Sequence, residues 1–113
     1  MVMDNICHLL NNFIRCTAYE HVIFCWVMHE QSIIDSILRA LDADGCDIKA
    51  VSLLCDAETL RERLLEDVRR GVRTADVIER GLVRLMQCQS LNTWKIDTAG
   101  KSALDVAKEI AAL

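Results

Sequence analysis

Two runs rich in β-branched and other apolar residues, 22–27 (Val-Ile-Phe-Cys-Trp-Val) and 48–55, alternate with segments of helical period, and a shorter strand pattern follows at 93–98. This alternation constrains the fold most, because a run apolar on successive residues suits a strand buried on both faces, as in parallel sheets joined by helical crossovers. Helical stripes fill the intervals. Met3, Ile6, Cys7, Leu10, Phe13, Ile14 and Thr17 mark a helix over 2–18, and Ile33, Ile34, Ile37, Leu38 and Leu41 mark a second, opened by Ser32 with Asp35 as a capping box and closed by the turn Asp42-Ala43-Asp44-Gly45. Asp56 suits the N-cap of a third helix with Leu60, Leu64 and Val68 inside, ended by Gly71. Thr74 suits the cap of a fourth, carrying Val77, Ile78, Leu82 and Leu85. Ser102 with Asp105 opens the last, with Val106, Ala107 and Ile110 inward. The expected order is α-β-α-β-α-α-β-α, an α/β fold with three parallel strands flanked by helices. With no proline, repeat or linker, residues 1–113 read as one domain.

Charge is distributed unevenly. Seven of the nine arginines lie between Arg61 and Arg84; with five acids that window is net +2, while the remainder holds six basic and twelve acidic residues and is net -6. Arginine's rigid fork matches phosphate or carboxylate oxygens, so arginines crowded after a buried strand suggest an anion site. The other reading is equally physical: Arg61, Arg69 and Arg70 are spaced to pair with Glu58, Glu66 and Asp67 along a helix, and charged helix faces are commonly solvated.

Bulk properties exclude several classes. At 52% apolar and 27% charged the chain is globular in composition, and no apolar run approaches the roughly 20 residues that span a bilayer. No basic region precedes an apolar start, so a cytoplasmic setting is expected, without membrane or nucleic-acid partners. The six cysteines lie mostly in apolar patterns, contain no C-x-x-C pair, and read as small reduced core residues with no metal site. Ala99-Gly100-Lys101-Ser102 ends like a phosphate-binding loop, but Lys95 stands where the motif needs its first glycine.

Taken in order, Leu53-Leu54-Cys55-Asp56 with Leu60-Arg61-Glu62-Arg63-Leu64, the arginine-rich turn through Arg73, Val77-Ile78-Glu79-Arg80-Gly81-Leu82-Val83-Arg84, and Lys95-Ile96-Asp97-Thr98-Ala99-Gly100-Lys101-Ser102 resemble the P-loop small-molecule and nucleotide kinases. The shikimate- and gluconate-kinase-like branch and proteins labelled AAA-type ATPases are the nearest in look. The resemblance implies an ATP-dependent phosphotransferase using Mg²⁺, acting on a small-molecule or nucleotide acceptor. It places Arg63 against adenine, edged by the loop of Thr98, Gly100 and Lys101. It puts Arg69, Arg70 and Arg73 in a lid, Arg80 or Arg84 facing the phosphates, and His29 beside the acceptor pocket.

The family's Gly-rich loop with lysine and its acidic metal-binding region have no counterpart here. The expectation is therefore a C-terminal two-thirds of such a kinase, lacking its first two strands and inactive alone, with no nucleotide bound tightly. The alternative is a non-catalytic α/β interaction module with surface ion pairs. In the family's strand order 2-3-1-4-5 the missing first strand separates 22–27 from 48–55, so these two runs should either pair directly or take an edge from a second chain. Self-association follows as an expectation.

Overall fold

A computed structural model describes all 113 residues. The architecture is mixed α/β, with five helices and a two-stranded parallel sheet, and the backbone divides into two compact units, Met1–Ile48 and Lys49–Leu113.

The first unit is a helix pair. Helix α1 (Val2–Arg15) and helix α2 (Gln31–Ala40) each bury one stripe, so that Cys7 and Leu10 meet Ile37, ringed by half-buried Met3, Ile6, Phe24, Met28, Ile33 and Leu41. Asn11 ties the pair together, since its Nδ2 donates to the Ala40 carbonyl at 3.1 Å while its Oδ1 accepts from the Asp42 amide at 2.7 Å. It thereby satisfies groups that the end of α2 leaves without intrahelical partners. The expected capping box is absent: α2 starts one residue before Ser32 with Glu30 as N-cap, and the Asp35 carboxylate accepts from Gln31 instead.

The run 22–27 does not form a strand, and the three-strand sheet is corrected to two. β-Propensity is realised only against a ladder partner and a covering layer. Here the segment spends Phe24 on the helix-pair cluster, while Val22, Ile23, Trp26 and Val27 remain exposed. The observed order is α-α-β-α-α-β-α.

The second unit runs strand β1 (Val51–Leu54), helix α3 (Ala57–Arg69), helix α4 (Asp76–Gln89), strand β2 (Trp94–Asp97) and helix α5 (Ala103–Ala111). The strands pair in parallel with Val51 opposite Trp94 and Leu54 opposite Asp97. Helices α3 and α4 together form the crossover that a parallel pair requires. Leu64, Leu85, Leu91, Ile96 and Val106 form the buried positions. Asp56 caps α3 by accepting from the Thr59 amide at 2.9 Å, and Gly71 follows the α3 terminus at φ 73°, a conformation that costs glycine least. Thr74 does not cap α4: the cap position is Ala75, and the Thr74 hydroxyl donates to the Asp76 carboxylate. Ser102 and Asp105 form the expected reciprocal box at α5, but only Val106 of its three expected inward residues is buried. At Gly81 an added Cβ would stand 2.8 Å from the Leu64 side chain, so this glycine permits the close approach of α3 and α4.

Candidate functional site

At the carboxyl ends of β1 and β2, where parallel α/β sheets commonly take ligands, α3, α4 and α5 leave an open groove of about 640 Å³. Its floor is apolar, with Leu54, Leu60, Leu85 and Val106, and its cationic lining is Arg63, Arg84 and Lys101. No carboxylate lines it.

Arg63 is held by geometry rather than by opposite charge. Its two terminal nitrogens donate to the Thr98 hydroxyl and the Thr98 carbonyl, each at 2.9 Å. Thr98 is fixed in turn, because its hydroxyl and its amide both donate to the Leu54 carbonyl, at 3.0 and 2.7 Å. The result is a planar cation anchored to the sheet, with no ion pair neutralising it. Arg84 likewise has no ion pair. Lys101 reaches both Glu109 carboxylate oxygens, at 2.9 and 3.1 Å. Gly100, at φ 68°, turns the chain between Thr98 and Lys101.

Two thiols also line the groove. Burial pushes Cys55 and Cys88 above the ordinary thiol range, offset in part by Arg63 and Arg84 respectively. Both were expected in the core. Among the six cysteines, all free, only Cys7 is buried, while Cys16, Cys25 and Cys46 are exposed; the apolar neighbours of Cys25 in sequence did not carry it inside.

Four of the other arginines in the window face neighbouring acids, whereas Arg61, spaced to pair with Glu58, forms no ion pair. Arg69 and Arg70 lie 3.4 and 3.3 Å from Glu66, Arg73 lies 3.2 Å from Asp67, and Arg80 lies 2.8 Å from Asp76. The Thr74 hydroxyl, and after it the charge of Arg80, holds Asp76 below the usual carboxylate range. A shallow depression along α4 is lined by Asp76, Glu79, Arg80, Val83, Arg84 and Gln87, so Arg84 borders both hollows. His29 belongs to the first unit, with Nε2 3.7 Å from Glu30 and Nδ1 buried without a hydrogen-bond partner. Of the residues singled out in sequence, Arg63, Arg84, Thr98 and the Glu109-paired Lys101 meet at one groove, whereas Arg69, Arg70, Arg73 and Arg80 are absorbed in ion pairs away from it or at its margin. No group of three or more His, Cys, Asp or Glu side chains is arranged to hold a metal.

Comparison with family models, with curated proteins and with solved structures gives no match for this chain.

Proposed function

We propose that the second unit is the nucleotide-holding part of a phosphotransferase of the P-loop kinase type, with its groove taking the base and the adjoining phosphates of ATP. The observation that carries this reading is the convergence of Arg63, Arg84, Thr98 and Lys101 on one groove with an apolar floor. Arg63, fixed along its edge by Thr98, offers the face of a planar cation to an aromatic ring. Arg84, which has no ion pair, supplies positive charge for phosphate oxygens, while Lys101, paired with Glu109, belongs to the loop that edges the base. Because the lining holds no carboxylate, Mg²⁺ would be carried by the nucleotide's own phosphates. Phosphoryl transfer depends on positioned β- and γ-phosphates, and no Gly-x-x-x-x-Gly-Lys stretch occurs in the sequence, so weak binding without turnover is the activity proposed. A small-molecule or nucleotide acceptor and a cytoplasmic setting belong to the same proposal.

Thiol protection tests it. ATP at millimolar concentration should slow alkylation of Cys55 and Cys88 while leaving exposed Cys46 unaffected. Equal rates at all three with and without ATP would refute occupancy of the groove.

The interaction-module reading rests on a different observation, the pairing of Arg69, Arg70, Arg73 and Arg80 with neighbouring acids. It leaves Arg63 and Arg84 without a function.

A further inference from the structure

The outer edge of β1 is open. The Ala50 carbonyl accepts from Trp94 at 2.9 Å and the Leu54 carbonyl accepts from Thr98 at 2.7 Å, so alternate residues of this strand face β2. Val51 and Leu53 must then direct their amides and carbonyls to the opposite side, where neither has a backbone partner. The Leu53 side chain is 56% exposed. A parallel pair of four-residue strands is small for an independent sheet, and an unpaired edge is a template for one more strand.

A strand completing that edge needs free backbone groups and apolar side chains on both faces. The chain carries such a segment. Residues 22–27 are six consecutive uncharged residues without proline, and they lie in neither helix nor ladder, with Ile23 at 86% exposure. Charge favours the same match: residues 1–48 hold two basic and seven acidic side chains, net -5, whereas residues 49–113 hold eleven and ten, net +1.

We infer that the open edge of β1 is an interface for a second copy of this chain, whose residues 22–27 add a strand beside Val51–Leu54. Two copies that exchange these segments reciprocally make two equivalent contacts and close as a two-fold dimer. The Leu53 side chain also borders the groove, but the contact is made through the backbone edge of the strand and needs no bound nucleotide.

Sedimentation velocity on the full chain should show a concentration-dependent species of twice 12.8 kDa. Ile23→Lys introduces charge at an exposed position. Leu53→Pro removes an amide that makes no bond to β2 and so blocks the edge while sparing the ladder. Each variant alone should weaken dimerisation at least about thirty-fold, the scale of an interface hot spot. Mixing the two variants should restore a heterodimer, because one copy keeps the segment and the other keeps the edge. Circular dichroism checks that each is folded, and Leu53→Lys replaces Leu53→Pro if the latter unfolds. A wild-type chain that stays monomeric throughout the micromolar range overturns the inference. So does a dimer that survives Ile23→Lys, or a mixture that remains monomeric.

Discussion

Arg63 and Arg73 separate two uses of arginine. Arg63 donates twice to Thr98 and forms no ion pair, whereas Arg73 lies 3.2 Å from Asp67 on the surface. Arg63→Ala should therefore weaken ATP binding by the worth of a cation-π stack, about 0.5 to 2 kcal/mol. Arg73→Ala should leave affinity unchanged and shift stability by less than about 1 kcal/mol, as for exposed pairs. Calorimetric titration and chemical denaturation of the two variants measure this contrast, and equal effects on affinity would contradict it. Asp56 makes a pH prediction. The Thr59 hydroxyl and amide hold its carboxylate below the usual range, so its stabilisation is present above the ordinary Asp pKa and is lost as pH falls through the depressed value. Acid titration of helicity should show a loss below about pH 4 that Asp56→Asn reduces, because Asn still caps but does not titrate. Local roles such as Asp56 capping α3 and Ser102 boxing with Asp105 were legible in the sequence from partners three residues apart, but the same spacing at Ser32 and Asp35 gave no box because α2 starts one residue earlier. The Arg63 anchor was not, since Thr98 is 35 residues away and the contact exists only after β1 and β2 pair.

At the scale of elements, helices were read more reliably than strands because a helix satisfies its backbone internally, whereas a strand needs a partner found elsewhere. All five helices formed near their stripes, yet the strongest strand-like run, 22–27, found no ladder. Its Phe24 joined the α1–α2 cluster instead. Gly81 carried no periodic signal, because a residue without a side chain leaves no mark in a hydrophobic pattern. Its effect is nevertheless measurable. Gly81→Ala exchanges a helix-propensity gain of about 1 kcal/mol against displacement of the Leu64 side-chain end. Gly81→Val adds a branched side chain against the Leu64 side-chain end and should cost about 1 to 3 kcal/mol. Ser102→Ala should destabilise by about 0.5 to 2 kcal/mol through loss of the α5 capping box. Urea denaturation ranks the three, and a Gly81→Val chain as stable as wild type would refute the close α3–α4 approach.

At the scale of the molecule, the groove and the arginine-rich window coincide only in part. Overall charge asymmetry pointed to residues 61–84, but much of that positive charge is spent on Glu66, Asp67 and Asp76. What distinguishes Arg63 and Arg84 is the lack of such partners beside an apolar floor, which sequence spacing does not encode. No helix is long and apolar enough to cross a bilayer. The central claim is occupancy of the groove by a nucleotide, and amide chemical shifts during an ATP titration test it most directly. Saturable shifts are expected at Leu54, Cys55, Arg63, Thr98 and Lys101, with a Kd of about 1 mM or weaker because no phosphate loop contributes. Shifts confined to Arg69, Arg70 and Arg73, or none at several times that concentration, would contradict it.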